Sequence, residues 1–203
     1  MVPGFSADTA CVYNLLRMLK ITLCVLALGL AAVSQAAPPV IDNERVTVWD
    51  TMNALPPAQH DFVAVSFAKK GKPFFGHKGD VAGADGVRTA VIELKDPSVA
   101  PIANTSGYQL AFPRPHARKL LENERVIVWN VRWLPGEPTP MHFHDKDAVG
   151  VYRAGGTLQS TTPDGKSVAV KLKSGDIRFN RRDRAHSELL VGGKPHAIIV
   201  ELK

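Results

Sequence analysis

The sequence predicts an all-β protein of the sandwich or barrel type, because short strand-like segments alternate with turn signals along most of the chain. The strand-like segments are short and rich in β-branched and aromatic residues: Val46–Trp49, Val126–Trp129 and Ala197–Val200. Turn signals separate them at Leu55-Pro56-Pro57, Pro135-Gly136, Pro163-Asp164-Gly165 and Gly192-Gly193. No segment shows the period of an amphipathic helix. The three observations together favour strands throughout.

Composition narrows the class of protein. Of 203 residues, 45% are apolar and 22% are charged, which is typical of a soluble globular protein. The formal charge of +6 is compatible with acidic ligands. The basic residues are scattered, and their longest cluster is Arg181, Arg182 and Arg184. Without a basic stripe interleaved with aromatic residues, nucleic acid is not an expected partner.

Residues 1–36 have the order of a secretory signal. Arg17 and Lys20 precede the apolar run Ile21–Val33, and Ser34-Gln35-Ala36 supplies small residues at a cleavage site. The run is short for a bilayer span, so a membrane anchor is the weaker alternative and no stable membrane insertion is expected after cleavage. Cleavage after Ala36 would remove both cysteines and release a secreted or periplasmic protein. Met18 is an alternative start.

The remaining chain contains an internal repeat. The segment 43–49 recurs at 123–129, offset by 80 residues, and 91–95 recurs at 199–203, offset by 108. The first copy therefore lacks about 28 residues, and part of the loss falls where the second copy has two histidines. We predict a truncated copy at 37–111, a proline-containing linker at 112–119 and a complete domain at 120–203. Whether the first copy closes a barrel or adds strands to the second stays open, and the proline pair also allows a peptide-binding motif.

The segment Gly136–His144 contains the most informative pair of residues. Residues two apart on a strand face the same side, so His142 and His144 project together. Two imidazoles on one face can chelate one metal ion if a third ligand comes from elsewhere in the fold.

Here the chain resembles the cupin superfamily, a fold of double-stranded β-helix or jelly-roll barrels. Gly136, His142 and His144 match the glycine and paired histidines of the first cupin motif, and Gly155 or Gly156 matches its closing glycine. Gly175 and His186 match the glycine and histidine of the second motif. The resemblance covers about 80 residues and implies a cupin barrel preceded by a degenerate cupin-like repeat.

The departures from the cupin pattern define the expected site. The motif's glutamate falls at Ala148 or Val149, neither of which binds metal, and Asp147 lies one residue early. The resemblance then implies three histidine ligands (His142, His144 and His186) with open positions for water or substrate, as in cysteine dioxygenase and acetylacetone dioxygenase. The ion would be divalent iron, manganese or zinc, and its affinity would fall below roughly pH 6 as free imidazoles protonate.

Other polar residues have more than one interpretation. Glu188 shares the face of His186 and would be a fourth ligand, a general base or a surface residue. Arg178 and Arg184 border the third histidine, where they would receive an anionic ligand or belong to a solvated loop paired with Asp183. Asp145 and Asp147 are expected in turns. The other histidines are expected to be structural or exposed: His60, His77, His116 and His196.

We therefore predict a secreted or periplasmic metal-binding cupin that binds or transforms a small organic anion. As an enzyme it would be a mononuclear-metal oxygenase or lyase. The sequence leaves open a non-catalytic binding or sensing module, and a metal-free isomerase that uses a histidine as base. A homodimer is also left open.

Overall fold

The computed structural model describes residue 1, residues 38–95 and residues 99–203, and the described residues after Met1 belong to one compact unit, Ala36–Lys203. They form thirteen strands, which are β1 Ile41–Asp42, β2 Val46–Thr51, β3 Phe62–Ser66, β4 Phe74–Gly76, β5 Thr89–Leu94, β6 Gln109–Leu110, β7 Ala117–Glu122, β8 Val126–Arg132, β9 Thr139–His144, β10 Ala148–Thr161, β11 Ser167–Leu172, β12 Ile177–Asn180 and β13 Arg184–Leu202. No residue of this part of the chain lies in a helix, as the sequence predicts.

The strands form two sheets. The first holds five strands in the order β1-β2-β5-β3-β4. The second follows the order β11-β10-β13-β8-β7, with β12 paired to β10 and β9 paired to β13. The two segments of the sequence repeat thus lie in different sheets. The predicted first copy supplies the whole five-stranded sheet, and its last strand, β6, also pairs with β9 of the second sheet.

The two sheets pack face to face over one apolar core. The core takes alternate residues from both: Val46, Val48, Val63, Val65, Ala90, Ile92 and Leu94 from the first, and Val126, Val128, Val149, Val151, Ile198, Val200 and Leu202 from the second. A further core lies on the other face of the second sheet and includes Trp129, Trp133, Tyr152 and Ile199. Strand β13 is therefore covered on both faces over residues 197–202, which explains its nearly continuous apolar sequence there.

The repeated segments make matching contacts at the edge between the sheets. The Asn43 side chain accepts from two backbone amides at its turn, and Asn123 does the same in the second copy. The Arg45 guanidinium lies 3.4 Å from the carbonyl oxygen of Lys203, at the end of the second copy. The Arg125 guanidinium lies 3.2 Å from the carbonyl oxygen of Leu94, at the end of the first. An arginine near the start of each copy thus contacts the end of the last strand of the other copy.

One predicted turn is wrong. Gly192-Gly193 lies inside β13, which pairs with β10 along most of its length, rather than between two strands. The pairing shifts register on either side of this point, at Tyr152/Ala154, Ala154/Gly156 and Thr157/Leu158. A glycine pair in a strand suits a bulge as well as it suits a turn. The other predicted turns lie between strands.

The predicted signal sequence, both cysteines and the alternative start at Met18 lie outside the described residues, apart from Met1. Within the described part of the chain, no helix is long and apolar enough to cross a membrane.

Candidate metal centre

Antiparallel pairing of β9 with β13 brings the three predicted histidines together. His142 and His144 share one face of β9, and His186 on β13 is the direct partner of His142 across the ladder. Directly opposite residues of an antiparallel pair point to the same side of the sheet. All three rings therefore face the interior of the second sheet, with centroids 4.7–5.0 Å apart.

The ring nitrogens converge on one point. The Nε2 atom of His144 lies 3.2 Å from Nε2 of His142 and 3.2 Å from Nε2 of His186. Three imidazoles bound to one ion at 2.0–2.1 Å place neighbouring nitrogens about 3.0 Å apart at right angles and about 3.4 Å apart in a tetrahedron. The observed separations fall between these values, so the residues present fit a divalent metal ion.

A hydrogen bond orients the first of these rings. Nδ1 of His142 lies 2.8 Å from the carbonyl oxygen of Pro140, so Nδ1 carries the proton and donates it. The Nε2 atom is then left with a lone pair that points at the other two rings. This is the outer-sphere arrangement that orients metal-binding histidines.

Burial keeps the three rings neutral. His142 and His144 are buried, and His186 is largely so. Loss of hydration, with the Arg114 cation next, lowers the pKa of His142 to about 4. Loss of hydration, with the Arg184 cation, likewise lowers the pKa of His186 to about 4 and shifts the pKa of His144 in the same direction. Protons are therefore expected to compete with a metal ion for the ring nitrogens only at a pH well below the value of about 6 expected for free histidine.

Glu188 lies beside the triad in a buried ion pair. Its Oε2 atom is 3.1 Å from Nη1 of Arg114 and accepts a 2.8 Å hydrogen bond from Nε1 of Trp133. Its Oε1 atom is 3.9 Å from Nε2 of His186. Burial opposes ionisation, but the Arg114 cation and the hydrogen bond from Trp133 hold the pKa of Glu188 below its usual range. The structure places Glu188 in the pocket as a carboxylate, outside the group of three ligands.

The two predicted arginines differ in their partners. The guanidinium of Arg178 donates to Asp176 at 2.6 Å and to the carbonyl oxygen of Lys171 at 2.6 Å. Arg184 donates to the carbonyl oxygen of Arg181 at 2.9 Å and lies 3.2 Å from Nδ1 of His186. Among the described residues Arg184 has no carboxylate within ion-pair distance, and burial lowers its pKa. It is a largely buried cation that faces the pocket.

The pocket is a cavity of about 170 Å³ inside the second sheet. Its polar lining combines residues of the triad with other polar groups: His144, His186, Arg114, Arg178, Arg184, Glu188, Ser160 and Asn180. Its apolar lining comes from Phe112, Trp133, Ala148, Leu158, Val170, Leu172 and Ile199, with Tyr152 between the two groups. Burial, with the Glu188 carboxylate next, raises the pKa of Tyr152 to about 12, so its hydroxyl stays protonated.

Two site residues come from the segment predicted as the linker. Arg114 meets Glu188 and lies 3.3 Å from Nε2 of His142, while Phe112 stacks on Trp129 with ring centroids 5.0 Å apart. The sequence signalled only proline-rich irregular structure there. A single arginine between two prolines has no spacing that points to a pocket.

The remaining polar candidates lie away from the triad. Asp147 accepts from the backbone amide of Arg182 at 2.9 Å and pairs with Arg45 at 3.4 Å. Asp145 pairs with Lys146 at 2.6 Å. The other histidines contact an acidic or amide side chain elsewhere: His60 with Glu93, His77 with Asp61, His116 with Glu137 and His196 with Asn130.

Comparison with known proteins identifies the fold. No protein-family model matches the sequence, and no curated protein is significantly similar to it. A cupin 2 conserved barrel domain protein from Leptotrichia buccalis matches with a TM-score of 0.50 at 13% identity, over 81% of this chain and 87% of that one. A cupin domain from Bordetella pertussis is 30% identical over 46% of this chain and 99% of that one, with a TM-score of 0.40. An IolB-like protein from Salmonella typhimurium matches over 82% of this chain and 92% of that one, at 11% identity and a TM-score of 0.48.

The all-β sheets around a central pocket make this a protein of the double-stranded β-helix class. The chain belongs to the cupin superfamily: the Leptotrichia protein shares its fold, and the Bordetella domain shares 30% identity over nearly its whole length. Its pocket is a cupin site for binding or transforming a small molecule, and it contains a histidine cluster able to hold a divalent metal ion.

Proposed function

We propose that this protein is an exported cupin that holds one divalent metal ion on His142, His144 and His186 and binds or transforms a small organic anion. The observation that supports this most directly is the convergence of three neutral imidazoles beside Arg184, a largely buried arginine that pairs with no carboxylate of the described residues. The triad supplies neutral ligands, so a divalent ion would keep its full charge there. That charge and Arg184 together favour an anion in the cavity.

The residues around the triad have separate roles in this proposal. Arg184 orients the anion beside the ligands, since a guanidinium pairs a carboxylate bidentately and the cavity shields the contact from water. Glu188 is ionised and near His186, so it can accept a proton from a bound molecule. Tyr152 keeps its proton and can donate a hydrogen bond. Iron, manganese or zinc bound there would supply Lewis-acid chemistry, and iron or manganese also oxygen chemistry.

Metal content of purified variants tests the ligands. We expect one equivalent of metal in the wild type and in His116→Ala, whose histidine pairs with Glu137 away from the triad. Loss of one of three ligands should lower the metal content of His142→Ala and His186→Ala to a small fraction. If all three variants keep the wild-type content, or if the wild type binds no metal, the metal proposal fails. The second outcome would favour the binding or isomerase alternatives.

Anion binding is tested separately. Arg184→Gln should weaken binding of a small carboxylate such as acetate by about tenfold or more, the loss expected for a charge-assisted hydrogen bond in a shielded site. Arg181→Gln is the matched control, because Arg181 is exposed and pairs with Glu44 at 3.1 Å. Metal content should stay unchanged in both. Equal acetate affinity in the wild type and Arg184→Gln would refute the assignment of Arg184.

Export rests on the amino-terminal sequence alone. Cleavage after Ala36 would give a mature chain that begins at Ala37. Mass spectrometry of the protein recovered from a periplasmic or secreted fraction should show this terminus, and a full-length cytosolic chain would contradict the proposal.

A further inference from the structure

We infer that the ligand of this pocket is a monocarboxylate with a compact apolar body about the size of a benzene ring. This inference rests on the proposed function, since it takes Arg184 as the anion receptor, and it adds the other half of the molecule. It follows from the size of the cavity and from the way its polarity changes along β10.

The size of the cavity limits the part of the ligand that lies inside it. Its volume is about 170 Å³. An apolar protein cavity of about 150 Å³ holds one benzene molecule, so this one has room for a single six-membered ring or a branched chain of similar size with one small substituent. Sugars joined in chains, nucleotides and peptides are larger than this volume.

The polar end lies at the triad. The guanidinium of Arg184 is 3.2 Å from Nδ1 of His186, and the hydroxyl of Ser160 is 3.3 Å from the same atom. A carboxylate paired with Arg184 would therefore lie next to His186. Of the three arginines that line the cavity, Arg178 is paired with Asp176 and Arg114 with Glu188. Within the described part of the chain, one cationic receptor of the cavity, Arg184, has no carboxylate partner, which matches one carboxylate on the ligand.

The apolar end lies further along the hairpin of β10 and β11. Leu158 is two residues before Ser160 on β10 and is the direct partner of Val170 on β11. Two residues of strand span about 7 Å, which is the reach of a ring that carries one carboxylate. Leu172 continues the same face, opposite Gly156. These leucine and valine side chains offer no hydrogen bond, so a second charged or strongly polar group on the ligand would lose its hydration there without compensation.

Calorimetric titration of the full chain with three probes tests the inference. The probes are benzoate, acetate, which keeps the carboxylate without the ring, and benzyl alcohol, which keeps the ring without the charge. Benzoate should bind about tenfold or more tightly than either, because only benzoate uses both ends of the cavity. Metal content is measured on the same samples.

Two variants of the apolar wall locate the ring. Val170→Phe fills the cavity and should weaken benzoate binding about tenfold while leaving acetate binding and metal content unchanged. Val170→Ser should weaken benzoate less strongly and in the same direction. Val191→Ser is the matched control, since Val191 is an exposed valine of β13 outside the cavity lining, and it should bind benzoate like the wild type.

The possible failures are distinguishable. If acetate binds as tightly as benzoate, or if Val170→Phe leaves benzoate affinity unchanged, the inference is wrong while the metal and anion proposals stand. If benzyl alcohol binds as tightly as benzoate, the carboxylate requirement is wrong. If the wild type contains metal but binds none of the three probes, the ligand class is wrong and the metal proposal is unaffected.

Discussion

Arg153 links the two sheets through hydrogen bonds to backbone carbonyls, and its loss should destabilise the whole molecule. It lies on β10 of the second sheet with 9% of its surface exposed. Its Nε and Nη2 atoms donate to the carbonyl oxygen of Ser66 at 2.9 and 2.6 Å, and Nη2 also donates to that of Gly71 at 2.7 Å. Both acceptors lie at the end of β3 and in the loop after it, in the first sheet.

The magnitude follows from the number and kind of these bonds. Arg153→Met keeps most of the aliphatic stem but removes the charged donor from two carbonyl acceptors. Hydrogen bonds to charged groups contribute about 1.5–3 kcal/mol each, and partial exposure of the loop lets water replace some of that. We therefore expect a loss of about 2–4 kcal/mol in the free energy of unfolding, or a fall in Tm of roughly 5–15 °C for a domain of this size.

Thermal and urea unfolding followed by circular dichroism measure this loss. Arg132→Met is the control, because Arg132 is an exposed arginine on β8 of the same sheet. If Arg153→Met lowers Tm no more than Arg132→Met does, the contacts between Arg153 and the loop contribute nothing measurable and the reasoning is refuted.

Three further predictions concern backbone packing and ionisation. Gly156→Ala should lower the free energy of unfolding by about 1–3 kcal/mol, because its Cβ would lie 2.6 Å from the carbonyl oxygen of Gly192. Gly192→Ala is the control: its Cβ would meet no atom within 4 Å, so urea titrations should show wild-type stability. Burial raises the pKa of Glu201, so the fold loses stability when this carboxyl ionises as the pH rises. Glu201→Gln should therefore be more stable than the wild type near pH 7. This gain in stability should vanish in acid, where the wild-type carboxyl is protonated. An equal difference at both pH values would contradict this. Metal content after dialysis should be nearly the same at pH 7 and pH 5, since the pKa of both His142 and His186 lies at about 4, and a loss near pH 6 would show that the imidazoles titrate like free histidine.

The sequence predicted the histidine triad well because its geometry depends on local rules. Alternation along a strand puts His142 and His144 on one face, and a single ladder register then puts His186 opposite His142. The strands predicted around Val46, Val126 and Ala197 are present for a similar reason, because runs of β-branched residues favour the strand conformation locally.

The rest of the site depends on contacts between distant segments. Arg114 and Phe112 reach the pocket only because their segment folds back over Trp129 and Trp133, which no local pattern encodes. Arg178 and Arg184 differ in whether they meet a carboxylate: Arg178 pairs with Asp176, whereas Arg184 donates to the carbonyl oxygen of Arg181. The Gly192-Gly193 pair is ambiguous in the sequence, because a glycine pair suits both a turn and a bulge. Only its pairing with β10 in the folded chain decides between the two.

The reciprocal contacts of Arg45 and Arg125 have a consequence for how the protein responds to dilution. In a dimer of two separate chains, an interface of this kind would come apart as the concentration fell. Here the two sheets belong to one polypeptide, so the connecting chain keeps each sheet at a high effective concentration near the other. The large valine-rich face of the second sheet is thereby covered whether the protein is abundant or scarce. The unfolding midpoint should accordingly be the same in micromolar and nanomolar samples.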